Sequence, residues 1–175
     1  MKPCVFFDRD GIVNESPGPG YVERWEDFHL LPDFVEILRI VRRLGFAAVV
    51  VTNQRGVATG RLTAATVDDI HRCLQGLLKA DGLALDDILY CPHDRDACEC
   101  RKPKPGLLKE AARRHNLDPA RSWMIGDSAT DIQAGQAAGC RTILIGPPAP
   151  GVAPDLRFDS LAELRSAIAG ILASG

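Results

Sequence analysis

The sequence predicts a three-layer α/β fold, a Rossmann-like sandwich with a mostly parallel five-stranded sheet. Short apolar runs that fit buried strands alternate with longer segments whose apolar residues recur at helical spacing. Because parallel strands need a crossover connection, usually a helix, this alternation favours a parallel sheet covered by helices. With 175 residues, 46% of them apolar, the chain is expected to form a single domain, residues 1–175.

The predicted elements follow one another in a regular order. The first strand is 3–7, and the first helix is 33–44, with Gly45 as its C-cap. A second helix, 63–79, is expected to be capped by the hydroxyl of Thr63. The other predicted strands are 46–51, 86–90, 123–125 and 141–145, and the other predicted helices are 106–115, one that ends near residue 138, and 160–173.

Composition excludes several kinds of partner. The net charge is −2 and no basic stripe is present, which argues against a nucleic-acid partner bound through its phosphates. No apolar run approaches the roughly 20 residues that a membrane span requires, so we expect no membrane association and a cytoplasmic protein. The sequence contains no obvious dimerisation helix, so a monomer is expected.

Polar residues stand directly after three of the predicted strands. Asp8 and Asp10 follow the first strand, Thr52 follows the second, and Asp127 follows the fourth. In parallel α/β sheets, ligands bind beyond the carboxyl ends of the strands, so these side chains are expected to converge. The carboxylates of Asp8 and Asp10 are two residues apart and are expected to share a pocket that suits Mg²⁺. Taken alone, this pair also fits a solvated loop.

Several motifs make the sequence similar to the haloacid dehalogenase superfamily of phosphohydrolases with an aspartate nucleophile. Four of them are DRDG at 8–11, Thr52 after the second strand, Lys102, and GDSATD at 126–131. The sequence also resembles the branch of this superfamily that contains heptose bisphosphate phosphatases and histidinol-phosphate phosphatase domains. The motifs of that branch are TNQ at 52–54, CPH at 91–93 and CxCRKP at 98–103.

The resemblance implies a covalent phosphatase mechanism. Asp8 would attack a phosphate monoester and form an aspartyl-phosphate, which divides a difficult hydrolysis into two steps. Asp10 would protonate the leaving oxygen and then deprotonate the attacking water. Thr52 and Lys102 would donate to the phosphoryl oxygens, because their negative charge needs donors and cations around it.

The resemblance also implies a Mg²⁺ site. Its ligands would be the carboxylates of Asp8 and Asp127 and the backbone carbonyl of Asp10. Asp131, four residues after Asp127, would support this site. Alternatively, Asp131 is an acid at a helix start that interacts favourably with the helix dipole.

Four soft or borderline ligands, Cys91, His93, Cys98 and Cys100, lie within ten residues. They are sufficient for a closed tetrahedral Zn²⁺ site, which leaves no open position and is therefore expected to be structural. Such a site would fix the loop that leads directly into Arg101 and Lys102. The alternatives are a redox dithiol or unrelated core cysteines.

Short loops at 12–32 and 91–100 leave no room for a lid domain, so we expect an open site for a small phosphorylated sugar. Arg101 is the first candidate for binding a second anionic or polyhydroxyl group, because a guanidinium binds phosphate through two donors. Arg55 is the other candidate, although the heptose branch usually has a small residue there. The remaining expected substrate contacts are Tyr21, Asn53 and Gln54.

Three functions fit the sequence to different degrees. YVE at 21–23 and GVATG at 56–60 look more like the heptose bisphosphate phosphatases, which remove the C7 phosphate of D-glycero-D-manno-heptose 1,7-bisphosphate. Histidinol-phosphate phosphatase is the alternative, because Arg55 and Ser128 depart from the heptose pattern. A non-catalytic zinc-binding module is a remote alternative, which the intact catalytic set disfavours.

No role is assigned to the three histidines that lack ligand spacing, His29, His71 and His115.

Overall fold

The computed structural model describes residues 1–174, which form six strands and five α-helices. The strands are β1 (Cys4–Phe7), β2 (Ala47–Asn53), β3 (Asp87–Cys91), β4 (Trp123–Gly126), β5 (Arg141–Ile145) and β6 (Leu156–Phe158). The helices are α1 (Pro32–Arg43), α2 (Ala64–Ala80), α3 (Gly106–His115), α4 (Ala129–Ala138) and α5 (Leu161–Ala173).

All strand pairs are parallel, and the strands form one sheet in the order β3-β2-β1-β4-β5-β6. The predicted Rossmann-like α/β fold is therefore confirmed. The strand order changes direction between β1 and β4, which is where such sheets open a crevice for ligands. The loops that follow β1, β2 and β4 border this crevice.

The two faces of the sheet carry separate apolar layers, because successive side chains of a strand point to opposite faces. In β1, Val5 and Phe7 pack on the face that is covered by α1, α2 and α5. Cys4 and Phe6 pack on the other face, against α3 and α4. These four side chains are at most 1% exposed, so the turn after β1 starts from a rigid position in the core.

Local signals at the helix ends agree with the predictions. The backbone N–H of Thr66 donates to the Thr63 hydroxyl at 3.0 Å, so Thr63 caps α2. Gly45 follows α1 with φ = 81°, a left-handed conformation that favours glycine. The predicted boundaries lie within about two residues of the observed ones, which is the usual uncertainty of helix and strand ends.

The predicted number of strands is wrong by one, because the sequence does not reveal β6. This strand has three residues, none of them buried, and it lies at the edge of the sheet. Three residues are too few to show an alternating pattern. The strand is held through the preceding residue: Asp155 Oδ2 accepts hydrogen bonds from the backbone N–H and the hydroxyl of Thr142, at 2.7 and 2.8 Å.

Between β1 and α1, the chain forms isolated bridges and one 3-10 turn, Trp25–Asp27. Within residues 1–174 no lid domain is inserted, as the sequence predicts. The same residues include no helix whose length and apolar character would allow it to cross a membrane.

Candidate active site

Lys102 lies at the centre of a buried ion-pair group. Its side chain is 2% exposed, and its Nζ lies 2.6 Å from Asp8 Oδ1 and 2.6 Å from Asp131 Oδ1. The ammonium also donates to the carbonyl oxygen of Val51 at 2.8 Å. Burial alone would lower the pKa of Lys102, but the charges of Asp131 and Asp8 outweigh it and raise this pKa above its ordinary value. Lys102 is therefore a permanent cation.

Three carboxylates share this site with the one lysine. One oxygen each from Asp8, Asp127 and Asp131 lies within 4.8 Å of the others. Burial and the charge of Asp131 raise the pKa of Asp8 to about 7, against the opposing effect of Lys102. Partial removal from water and the charge of Asp131 raise the pKa of Asp127 to about 6. A single ammonium therefore leaves negative charge in the cluster uncompensated.

This acid cluster fits a hard divalent cation. Mg²⁺ prefers oxygen ligands, and a cation would oppose both the burial and the carboxylate repulsion that raise the two pKa values. Gly11 leaves room beside Asp127, because a Cβ atom at this position would lie 2.1 Å from Asp127 Oδ2. Its φ of 93° also requires glycine in this turn. The structure thus brings the predicted ligands Asp8 and Asp127 together at the edge of the sheet.

Asp10 is held by donors on both of its carboxylate oxygens. Oδ1 accepts from Arg9 Nε at 3.2 Å and Nη2 at 3.0 Å, and from the Asn14 amide at 3.0 Å. Oδ2 accepts from Arg9 Nη2 and from the Gln54 amide, both at 3.2 Å. These contacts fix the orientation of the Asp10 carboxylate.

Asp8 and Asp10 line a polar cavity of about 200 Å³. Thr52 lines it as well, and its Oγ1 accepts a hydrogen bond from the Gln54 amide at 3.0 Å, which leaves the hydroxyl hydrogen of Thr52 available for a ligand. The other lining residues are Asn53, Lys102, Ser128, Thr130 and Asp131. All four predicted catalytic side chains therefore line one cavity.

Asp131 has a different partner on each of its carboxylate oxygens. Its Oδ1 pairs with Lys102, while its Oδ2 accepts from the backbone N–H of Ser128 at 3.1 Å and from the Ser128 hydroxyl at 2.6 Å. Asp131 therefore lies beside the acid cluster and also at the start of a helix, so both predicted placements apply to this residue. Gly126 permits this approach, because a Cβ atom there would lie 2.3 Å from Asp131 Cβ.

Cys91, His93, Cys98 and Cys100 converge beyond the end of β3, with one ligand atom from each within 4.8 Å of the others. Neighbouring ligand atoms are 3.2 to 3.6 Å apart, and the edges of a zinc tetrahedron measure roughly 3.5–3.8 Å. The three thiols are free of disulfides. Burial opposes ionisation of Cys98, but hydrogen bonds from Cys100 and a backbone N–H lower its pKa to about 6. This donor set fits Zn²⁺, which binds thiolates and imidazole.

A second cavity, of about 350 Å³, adjoins the first, and the two share Asn53, Lys102 and Thr130. Arg101, a predicted substrate contact, belongs to its lining and donates to the backbone carbonyl of His93 at 3.5 Å. The cationic side chains that line this cavity, apart from the shared Lys102, are Arg95, Arg101 and Lys104.

Two predicted substrate contacts hold catalytic residues in place. Asn53 exchanges hydrogen bonds with the backbone of Lys102, donating to its carbonyl at 3.1 Å and accepting from its N–H at 3.0 Å. Asn53 still lines both cavities. Gln54 is 1% exposed and donates its amide to Asp10 and Thr52. The predicted contact of Gln54 with substrate does not fit this burial.

Arg55 and Tyr21 lie outside the lining of the two cavities. Arg55 Nε donates to Asp94 Oδ1 at 2.6 Å, which links the loop after β2 to the loop that carries the cysteines. Tyr21 is half-buried beside Gly56, where a Cβ atom would lie 3.2 Å from Tyr21 Cδ1.

Sequence reasoning missed three residues that support Asp10, namely Arg9, Asn14 and His71. Arg9 is fully buried, and its Nη1 lies 3.2 Å from Nε2 of His71, which is 7% exposed on α2. Burial and the charge of Arg9 lower the pKa of His71 to about 3, so the imidazole is neutral and accepts this hydrogen bond. Arg9 lies within the DRDG motif, but His71 has no motif that would point to it.

Known proteins are similar to this chain in both sequence and fold. The family model described as HAD-hydrolase-like matches residues 99–164. The D-glycero-alpha-D-manno-heptose-1,7-bisphosphate 7-phosphatase of Mycobacterium tuberculosis (strain ATCC 25618 / H37Rv) is 40% identical over 172 residues, which cover 94% of this chain and 90% of that protein. The D-glycero-beta-D-manno-heptose-1,7-bisphosphate 7-phosphatase of Escherichia coli (strain K12) is 35% identical over 180 residues, with coverages of 95% and 93%.

A solved structure is similar over the whole chain. The crystal structure of D,D-heptose 1.7-bisphosphate phosphatase from B. bronchiseptica, complexed with magnesium and phosphate, has a TM-score of 0.83, 30% sequence identity and 100% coverage of both chains. The fold and the carboxylate–lysine cluster thus define a phosphohydrolase of the haloacid dehalogenase class. Within this class, the chain belongs to the family of the heptose-1,7-bisphosphate 7-phosphatases.

We expect magnesium to stabilise this protein more strongly at about pH 8 than at about pH 5.5. Unfolded Asp side chains ionise near pH 4, whereas folded Asp8 and Asp127 keep their protons up to about pH 7 and about pH 6. Without metal, the stability that these two groups contribute therefore falls as the pH rises from about 4 to about 7. Magnesium binds ionised carboxylates, so at the higher pH it displaces no protons. Thermal unfolding with excess magnesium should show a Tm rise of roughly 5–10 °C at the higher pH and less than half of this at the lower.

Asp127→Asn is the control for this experiment, because it removes one of the predicted ionisable ligands and leaves Asp8 in place. It should abolish most of the magnesium-dependent rise in Tm at the higher pH. Equal rises at both pH values in the unsubstituted protein would show that Asp8 and Asp127 are not the ligands.

Proposed function

We propose that this protein hydrolyses a phosphate monoester through an aspartyl-phosphate on Asp8. The observation that carries the proposal is the buried ion-pair group of Asp8, Lys102 and Asp131, which shares one polar cavity with Asp10 and Thr52. Buried charges persist where partners compensate them, and Lys102 compensates a carboxylate that still faces the cavity. A nucleophile, a cation and a hydroxyl donor are therefore available to one phosphoryl group.

In the first step, the Asp8 carboxylate attacks phosphorus while the substrate's alcohol leaves. Asp10 gives a proton to the leaving oxygen, so the bond to phosphorus breaks without release of an alkoxide. Thr52 donates to the phosphoryl oxygens, and the nearby positive charge of Lys102 stabilises the negative charge that spreads over them. In the second step, water attacks the aspartyl-phosphate and Asp10, now ionised, takes its proton. Inorganic phosphate leaves, and both carboxyl groups return to their starting states.

Asp8, Asp127 and the backbone carbonyl of Asp10 would hold Mg²⁺, and Asp131 would support this site. When bound, the cation neutralises charge on the phosphoryl oxygens and orients them. Asp131 contributes in a second way, because its ion pair keeps the Lys102 ammonium beside Asp8.

The substrate that we propose is D-glycero-D-manno-heptose 1,7-bisphosphate, which would lose its C7 phosphate. Relatives with this activity in their names are 35% and 40% identical to the chain. The second cavity supports a bisphosphate, because it adjoins the catalytic cavity and has cationic side chains in its lining. Arg101 is the proposed ligand for the remote phosphate, which a guanidinium binds through two donors. Arg55 and Tyr21, which lie outside the linings of both cavities, remain proposed contacts only for a part of the sugar that extends beyond these cavities.

Histidinol phosphate is the competing substrate. It carries one phosphate, and the rest of the molecule has an ammonium group and an imidazole ring, which gain nothing from the cationic side chains that line the second cavity. The non-catalytic zinc-binding module is disfavoured, because four side chains suited to catalysis line one cavity.

We further propose that Cys91, His93, Cys98 and Cys100 hold a structural Zn²⁺. Their loop is mostly exposed, so a metal would supply the order that apolar contacts do not. Cys100 lies two residues before Lys102, and the Lys104 ammonium donates to the Cys98 carbonyl at 2.8 Å. Zinc would therefore hold the segment that delivers Lys102 to Asp8.

The chain is proposed to act as one domain, as a monomer and in the cytoplasm. All six strands belong to one sheet, which favours a single folding unit. Six free cysteines fit a reducing compartment. The net charge of −2 favours a small phosphorylated sugar over a nucleic acid as partner.

Asp8→Asn should lower phosphate release at least about a thousandfold without unfolding the protein, because the amide keeps the shape but is no nucleophile. Phosphate release is measured with a colorimetric assay, and folding by circular dichroism. Asp69→Asn is the matched control, since Asp69 is an exposed carboxylate on α2 that pairs with Arg72. An Asp8→Asn variant with near wild-type turnover would exclude Asp8 as the nucleophile.

Heptose 1,7-bisphosphate, assayed as both anomers, should be preferred over histidinol phosphate about a hundredfold in kcat/KM. Arg101→Ala should lower kcat/KM for the bisphosphate about tenfold, mainly through KM, because Arg101 is proposed to bind the phosphate that does not react. Arg113→Ala, an exposed arginine paired with Glu110 on α3, is the control and should change neither parameter. A hundredfold preference for histidinol phosphate would overturn the proposed substrate.

Metal analysis of protein purified without chelators should find about one zinc per chain. Cys98→Ser should lose the zinc, lower Tm and lower kcat, because the segment that positions Lys102 loosens. Cys73→Ser is the matched control, since Cys73 is an exposed free cysteine outside the cluster. Zinc-free protein with unchanged Tm and turnover would contradict a structural zinc.

A further inference from the structure

Arg9 is a buried cation that faces the proposed acid/base residue. It is 0% exposed, and its guanidinium donates to both oxygens of Asp10 at 3.0 to 3.2 Å. Its Cζ lies 5.9 Å from the centroid of the Phe28 ring, which closes one side. Removing an ion from water is costly unless its partners compensate, so the pairing with Asp10 must be well formed.

The remaining terminal nitrogen of Arg9 reaches α2. Nη1 lies 3.2 Å from Nε2 of His71, and the neutral imidazole accepts its hydrogen bond. The His71 ring packs edge-on against Tyr90, with centroids 5.6 Å apart. Helix α2 contributes no residue to the lining of either cavity, and this hydrogen bond connects it to the guanidinium that holds Asp10.

The Asp10 side chain is 25% exposed and lines the catalytic cavity, and Asp10 lies in the loop after β1, outside any named strand or helix. Its partners Asn14 and Gln54 each hold one oxygen through a neutral amide, whereas Arg9 holds both oxygens through a charged planar group. The orientation of the Asp10 carboxyl group therefore depends most on where the guanidinium is fixed. His71 fixes the end of the guanidinium that Asp10 does not.

We propose that Arg9 and His71 are positioning residues for proton transfer by Asp10: His71 orients the guanidinium, and the guanidinium orients the carboxyl group toward the leaving oxygen. This inference rests on the proposed function. A proton donor that is displaced by a fraction of an ångström loses much of its effect, although the nucleophile and the phosphate contacts stay intact.

Leaving-group dependence separates this role from a merely structural one. The 4-nitrophenolate ion leaves readily without a proton, whereas phenolate is a poorer leaving group that gains more from protonation. The two aryl phosphates otherwise differ only by a nitro group, so their comparison does not depend on the natural substrate. Because kcat/KM covers the steps up to departure of the phenol, it isolates the acid role of Asp10 from its later role as base.

In His71→Leu, the ratio of kcat/KM for 4-nitrophenyl phosphate to that for phenyl phosphate should rise about tenfold, through loss on phenyl phosphate. His71→Gln, whose amide oxygen can accept from Arg9, should keep this ratio within about threefold of wild type. His115→Leu is the matched control, because it removes a part-buried histidine that lies 2.8 Å from Asp87 and outside both cavities. It should leave the ratio unchanged.

Equal losses on both esters in His71→Leu would overturn the inference. If that variant does not fold, as judged by circular dichroism, Arg9→Lys takes its place, because lysine keeps the charge but cannot bind both carboxylate oxygens as a planar fork. The same rise in the ratio is expected, and an unchanged ratio would overturn the inference. Wild-type protein that releases phosphate neither from these esters nor from heptose 1,7-bisphosphate would overturn the proposed function, and the inference with it.

Discussion

The buried ammonium of Lys102 is the interaction on which the site depends. It joins Asp8 after β1, the carbonyl of Val51 in β2 and Asp131 at the start of α4, so it connects three segments that are distant in sequence. Without this cation, two carboxylates would lie side by side in the protein interior, and one of them would take up a proton. With it, the acid cluster still keeps an excess of negative charge, which suits a divalent cation and a phosphate ester bound together.

The position of Lys102 depends in turn on the loop that precedes it. Its backbone exchanges two hydrogen bonds with Asn53 at the end of β2, and Cys100 of the four-ligand cluster lies two residues earlier. Gly106 packs against the same loop so closely that a Cβ atom there would lie 2.3 Å from the Glu99 carbonyl oxygen. The loop therefore helps to form the active site, because the ammonium of a flexible lysine side chain is positioned only as precisely as the backbone that carries it.

The sequence predicts the parts of this site that follow from strand ends and motifs. Asp8, Thr52 and Asp127 stand directly after buried apolar runs, so a parallel sheet alone brings them to one edge. Strand β6 was not predictable, since three residues, none of them buried, are too few to show an alternating pattern. His71 was not predictable either. Its role follows from a contact between two elements that are 62 residues apart, and nothing in its local sequence distinguishes it from other helical histidines.

The two aspartates of the DRDG turn have different hydrogen-bond networks, although they are two residues apart. Asp8 has one strong partner and a raised pKa near 7, so neutralising charge beside it favours the ionised form that attacks phosphorus. Asp10 instead receives hydrogen bonds from three side chains on its two oxygens. A nucleophile must move toward phosphorus. A proton donor and acceptor must instead keep one position, from which it serves first the leaving oxygen and then the attacking water. The single strong partner of Asp8 and the three side-chain partners of Asp10 therefore suit their different roles. The buried Arg9, which lies between the two aspartates in sequence, is the residue that makes their hydrogen-bond networks differ.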